Sequence, residues 1–167
     1  MDDDQTPRLA LPLLHAGQAQ KEIDHNEALA LLDMAVQASV VAVGRNDPPS
    51  DPAPGDCWIV GTSPVGEWAG WPGALAGWTA GGWRLLAPRA GMQVWRGSDG
   101  ITVTYDGSNW TAGSVHANHV LIGGVPVLGA RGDAIANPAS GATIDGEARA
   151  AIGAILAALR GHGLIAT

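Results

Sequence analysis

The side chains that could carry a reaction are few and scattered. The chain has five histidines and one cysteine. His116 and His119 stand three apart with Asn118 between them. On a helix that spacing would put both imidazoles on one face, where a carboxylate could complete a divalent-metal site. Here the neighbours read as loop and strand and no third ligand is evident, so the pair is read as polar loop histidines and no metal is assigned. Cys57 with a histidine base would make a thiol nucleophile. It opens the run Cys57-Trp-Ile-Val, where a cysteine is usually a small buried hydrophobe. Glu67, Asp99 and Asp106 are the carboxylates nearest the tryptophans, and a carboxylate pair beside aromatic platforms is the pattern of a glycoside hydrolase. Asp99 and Asp106 each precede a glycine at a predicted hairpin turn, so turn formation accounts for them. Phosphate loops, dinucleotide fingerprints, nucleophile elbows and HExxH motifs are all missing. No catalytic residue, metal or cofactor is assigned. Arg131-Gly-Asp133 and the sequon Asn109-Trp-Thr111 are short enough to arise by chance.

The aromatic residues point to binding or packing rather than reaction. All seven tryptophans lie between Trp58 and Trp110, and the chain has no phenylalanine. Trp68, Trp71, Trp78, Trp83 and Trp95 crowd into a segment rich in Gly, Pro and Ala. Indole faces stack on the apolar faces of sugar rings, and they also fill thin β modules that lack bulky aliphatic residues. Seven are too many for one binding face. Trp58, Trp83 and Trp95 have neighbours that alternate as in strands and are expected in the core. Trp68, Trp71 and Trp78 lie in Gly-rich loop sequence and are the candidate contacts for a glycan or partner protein.

Composition bounds what such a module can be. The chain has 167 residues, enough for one domain with helical extensions. Charged residues make up 15% against about a quarter in typical domains. A low-charge, Gly- and Ala-rich surface suits burial against copies or partners, although a GC-rich coding sequence would give the same bias. The net charge is −7, and the nine Lys and Arg residues are dispersed. Nucleic-acid binding needs clustered cations, so it is not expected. The acidic start Met-Asp-Asp-Asp is unlike the basic start of a signal peptide. No apolar run approaches the ~18 residues of a transmembrane helix. The expectation is cytosolic folding without membrane insertion.

Three regions are expected. Residues 1–43 hold an arm and an oligomerisation or anchoring helix. Pro12 makes Leu9–Leu14 extended, and an apolar extended arm often lies on a neighbouring subunit. From Ala16 to Ser39 helix formers run without proline, with Ile23, Ala30, Met34 and Ala38 as a buried stripe widened by Leu31, Leu32 and Ala35. Leu11, Leu13, Leu14, Ile23 and Leu31 are the candidate oligomer or capsid contacts. Residues 44–128 form a Trp-rich antiparallel sandwich or small barrel-like module. A proline-rich loop leads into strands at 57–60, 75–79, 83–87, 92–96, 101–105 and 109–111, then a hairpin turning at Gly123-Gly124. Residues 129–167 are a loop and a final helix capped by Asp145, with Ala148, Ile152, Ile155 and Leu159 as its buried stripe. The fold class is therefore α+β.

Two stretches carry a resemblance. The first is Leu11-Pro-Leu-Leu-His-Ala-Gly-Gln-Ala-Gln-Lys-Glu-Ile-Asp-His-Asn-Glu-Ala-Leu with Leu32-Asp33 and Val36-Gln37. The second is Pro52-Ala-Pro-Gly-Asp-Cys-Trp-Ile-Val-Gly, Gly66-Glu-Trp-Ala-Gly, the Trp78–Trp83 region and Pro88-Arg-Ala-Gly-Met. Together with Ile144-Asp-Gly-Glu-Ala-Arg-Ala-Ala-Ile and His162-Gly-Leu-Ile-Ala, they resemble a phage-derived family of alphaproteobacterial prophages and gene transfer agents. Cys57 stands where that pattern has a polar residue. The resemblance implies a virion protein associated with head spikes or tail fibres, assembled in the bacterial cytoplasm, and it supplies no catalytic residues. It implies a homo-oligomer that meets a capsid protein and a spike or fibre protein, the base or adaptor of a receptor-binding fibre. The rival is a carbohydrate-binding module that itself contacts host capsular polysaccharide through Trp68, Trp71 and Trp78. A third reading is a depolymerase using Glu67 with Asp99 or Asp106.

Overall fold

The computed structural model describes residues 4–15, 17, 21–137, 145–161 and 164–166. It is an α+β fold in two compact units divided after Ser114. The first unit opens with an arm and helix α1 (Lys21–Ala35), followed by strands β1 (Ser39–Val40), β2 (Ala42–Arg45), β3 (Cys57–Val60), β4 (Leu75–Thr79), β5 (Gly82–Leu86), β6 (Gln93–Arg96), β7 (Ile101–Tyr105) and β8 (Trp110–Ala112). The second unit holds β9 (Val120–Ile122), β10 (Val125–Leu128) and α2 (Gly146–Gly161).

In the first unit the strands form two open sheets, β2-β3-β4-β5 and β1-β6-β7-β8, and no closed barrel. The expected antiparallel pairing holds from β3 to β5 and from β6 to β8. The β1–β6 and β2–β3 pairs are parallel, and one chain segment supplies both leading strands. That segment changes sheet at Val41, whose N–H donates to the Cys57 carbonyl at 2.8 Å. The switch ties the sheets together at one corner.

Strand alternation sorts the side chains. The inner faces bury Cys57, Ile59, Leu75, Val94 and Val103, with Met34 and Ala38 closing one end. Gly77 lies beneath Met34, whose side chain would stand 2.8 Å from a Cβ added there. Glycine at 77 thus lets the last turn of α1 approach the sheet. The other face of β3, β4 and β5 carries Trp58, Ala76, Trp83 and Leu85.

Helix α1 is shorter than the sequence implies. Ala16 and residues 18–20, expected in it, lie outside the described residues. Its end at Ala35 has a clear cause: Gln37 is left-handed at φ 47°, and the last turn contains no basic residue of its own. The predicted stripe is corrected too. Met34 and Ala38 are buried, but Ile23 is 62% and Leu32 50% exposed, because α1 meets the sheets mainly through its C-terminal turn.

In the second unit β9 and β10 pair around Gly123 and Gly124, both at positive φ as a tight two-residue turn requires. Asp145 caps α2, its Oδ1 accepting from the Ala148 N–H at 2.9 Å. The predicted stripe of α2 is not its buried face. Leu156 is buried, whereas Ile152 and Ile155 are exposed. The C-terminus pairs with Gly132, the Gly132 N–H donating to the Leu164 carbonyl and the Ala166 N–H to the Gly132 carbonyl, each at 2.8 Å. Arg131 donates to the Ile165 carbonyl at 3.2 Å, so the first residue of the Arg-Gly-Asp tripeptide is engaged within its own unit. Residues 138–144, 162 and 163 lie outside the described residues, and with them parts of the expected loop and C-terminal motif.

Candidate functional site

Three places gather the side chains singled out by sequence: the arm against α1, the indole cluster and the outer face of β6. The arm does not project. Gln5 and Pro12 form an antiparallel bridge, the Thr6 N–H donates to the Leu11 carbonyl at 2.9 Å, and the Leu13 N–H donates to the Asp4 carbonyl at 2.7 Å. This loop is clipped to α1 by two helix side chains. Asn26 accepts from the Leu14 N–H and donates to the Leu14 carbonyl, each at 2.9 Å. Asp33 is 3% exposed and accepts from Thr6 Oγ1 at 2.7 Å and from the backbone N–H groups of Arg8 and Leu9 at 3.1 and 2.6 Å. Arg8 then donates to the carbonyls of Asp33, Met34 and Gln37. It supplies the cation that the negative end of the helix dipole lacks.

Leu11, Leu13 and Leu14 are half-buried against their own chain. Among the five candidate contacts of this region, Ile23 is exposed and Leu31 half-buried. A groove of about 500 Å³ remains between the arm, α1 and the β4–β5 turn. Pro7, Ala10, Leu13 and Ile23 line it, and the Arg84–Glu27 ion pair at 2.7 Å stands at its edge.

The indole cluster is a packed core. Trp68 is fully buried, brought in by the 3₁₀ turn Gly66–Trp68, and its ring lies 5.0 Å from Trp83 and 6.2 Å from Trp58. Trp58 and Trp83 meet edge to face at 5.5 Å, and Trp78 packs on Trp83 at 5.1 Å. Near-perpendicular pairs place positive ring edges on negative faces. The Trp68 indole N–H has no hydrogen-bond partner among the described residues. Of the three candidate contacts, Trp68 is thus enclosed, Trp78 is half-covered by Trp83, and Trp71 is 43% exposed. Trp58 and Trp83 join the core as expected. Trp95 does not: it is 49% exposed on β6. Trp110, half-buried, donates from Nε1 to the Gly73 carbonyl at 2.8 Å.

Cys57, Asp99 and Asp106 are held by their local surroundings. Burial pushes the Cys57 thiol up to about 11, so it stays protonated near neutral pH. Asp106 accepts from the N–H groups of Ser108 and Asn109 at 2.7 Å, forming its turn. Asp99 is paired with Arg96 at 2.5 Å, and that hydrogen bond holds its carboxyl below the usual range. Glu67 is exposed within the 3₁₀ turn. Among the described residues no three His, Cys, Asp or Glu side chains come together as a metal site, and no helix is long and apolar enough to cross a membrane.

Sequence reasoning missed Asp33, Arg8 and Asn26. The available signal was an acid at 33 inside an apolar stretch, between Leu32 and Met34. It also missed the exposure of Trp95, for which alternation gave no signal. Comparison with curated proteins returned no match. The model of a family described as protein of unknown function (DUF2793) matches residues 25–111, from α1 through both sheets into β8. That match spans just over half of the sequence, and the chain belongs to the DUF2793 family.

Proposed function

We propose that this protein is a structural component of a phage-like particle: a homo-oligomeric base or adaptor of a head spike or fibre that anchors a receptor-binding fibre and supports host attachment. Its partners on this reading are its own copies, a capsid protein and a spike or fibre protein. It has no catalytic role and works in the virion. Family membership supports the particle, since the family is typically phage-associated. The observation that carries the assembly role lies in the second unit. Val120, Leu121, Ile122, Val125, Val127 and Leu128 of the β9–β10 hairpin are all 43% or more exposed. A two-stranded hairpin is marginal in water, and one that shows apolar side chains on both faces calls for cover from another chain.

Electron microscopy of particles made without this protein tests the reading. Loss of the spike or fibre is expected, and particles with normal projections would overturn it. A charged substitution at Ile122 should remove the spikes while the variant still accumulates as a soluble chain.

A further inference from the structure

The two edges of the β9–β10 hairpin are not alike. Gly123 and Gly124 close a two-residue turn, so Ile122 and Val125 face each other across it. The next pair is Leu121 with Pro126. Proline has no N–H to give, so Leu121 and Pro126 are the pair that exchanges no hydrogen bonds, and Ile122 with Val125 is the bonded one. In an antiparallel ladder the backbone groups of a non-bonded pair point away from the partner strand. Leu121 therefore turns its N–H and C=O to the open edge of β9, where no hydrogen bond engages them among the described residues. On β10 the corresponding place holds Pro126, which offers no donor, and the register slips between Pro126 and Leu128. A proline and a bulge are two devices by which proteins blunt a strand edge. β9 has neither. It also lacks the charges that guard an edge, for no Asp, Glu, Lys or Arg occurs from Val115 to Ala130.

We infer that the open edge of β9 takes the β9 of a second copy, antiparallel about a twofold axis, which joins two hairpins into one sheet of order β10-β9-β9-β10. This rests on the assembly reading, which brings copies together, and names the contact that joins them. With Leu121 at the axis, its N–H and C=O meet those of its counterpart, and Val120 of each copy stands beside Ile122 of the other. Cross-strand pairs of β-branched residues pack well. A two-stranded hairpin is marginal in water, and a sheet of four strands with an apolar face meets the usual requirement for stability. Charge favours a copy as the occupant. The chain as a whole carries −7, and the uncharged run around β9 is where two copies can meet without opposing like charges. An acidic or basic partner segment would be matched by ions along the edge, and there are none. Symmetry closes the argument. An isologous pair uses the open edge of both copies and leaves only the blunted β10 edges outside, so the sheet stops at four strands.

The test uses the whole chain in solution, with circular dichroism as the check on folding. Sedimentation should show wild type as a dimer at micromolar concentration. Leu121→Pro copies the device of Pro126: it removes the outward N–H and no bond within the hairpin. It should weaken dimerisation roughly tenfold or more, since each dimer loses two symmetric hydrogen bonds. In a Cys57→Ala background, Leu121→Cys should form a disulfide-linked dimer on mild oxidation, because Cα atoms of a bonded antiparallel pair stand about 5.5 Å apart. Val127→Cys should not, because the two β10 strands of such a sheet lie about 14 Å apart. A Leu121→Pro variant that dimerises as wild type does overturns the pair, and so does cross-linking at Val127 equal to that at Leu121. A wild type that is monomeric or trimeric overturns it too, while the assembly reading then stands or falls on the electron microscopy of particles.

Discussion

The two sheets of the first unit both carry tryptophan on their outer faces, and they treat it oppositely. On β3 and β5, Trp58 and Trp83 lie beneath Trp68, which the 3₁₀ turn folds over them. On β6, Trp95 stands nearly half exposed among hydroxyl side chains. All three residues sit in strands with the same alternation. What differs is the connection between strands. The link from β3 to β4 is long enough to return across the sheet and bring its own indole, whereas the β6–β7 link is a tight turn ending at Gly100. Alternation selects a face, and loop length decides whether that face has a cover.

The sharpest break of this comparison is Trp68→Ala. It should cost about 3–5 kcal/mol by opening a cavity against the Trp58 and Trp83 rings, read as a lower chemical-denaturation midpoint. A cost under ~1 kcal/mol would mean that the cluster is not a packed core. Next is Asp33→Ala, which leaves Thr6 and two backbone N–H groups without their acceptor and frees the arm. A loss of about 2–4 kcal/mol is expected, with faster amide exchange at Arg8 and Leu9. Unchanged exchange there would show that the arm is held by other means.

Cys57 probes the inner side of the indole-bearing sheet. Its thiol ionises near 9.0 when unfolded and near 11 when folded. Between those values the unfolded chain has released the proton and the folded chain keeps it, so stability falls as pH rises through that window. The fall should total roughly 2–3 kcal/mol and be absent from Cys57→Ala. Equal pH profiles for the two proteins would indicate that water reaches the inner face. The smallest effect is expected at Trp95→Ala. It should cost about 1 kcal/mol, well below Trp68→Ala because only about half of the indole is covered, while altering the emission of the exposed ring. A loss comparable with that of Trp68→Ala would mean that Trp95 is covered after all.

Much of the fold was legible in the chain. The strands 57–60, 75–79 and 101–105, the Gly123-Gly124 turn and the Asp145 cap follow from short-range rules: alternation, positive-φ glycines and a side-chain acceptor placed before a helix. The candidate sites were less legible, because each depends on partners distant in sequence. Trp68 looked like loop and proved central to a core, since its neighbours there are Trp58 and Trp83. Leu11, Leu13 and Leu14 read as an extended apolar arm, and the groups that clip that segment to its own chain lie on α1 at Asn26 and Asp33.

By itself the sequence determined the α+β class and the order of elements, because local periodicity and residue type carry that information. Only the tertiary structure decided which indoles are buried, where the arm lies and which sheet face stays open. Burial belongs to pairs of surfaces rather than to residues: Trp68 and Trp95 differ in what folds over them, and that is set by how far the chain travels before it returns.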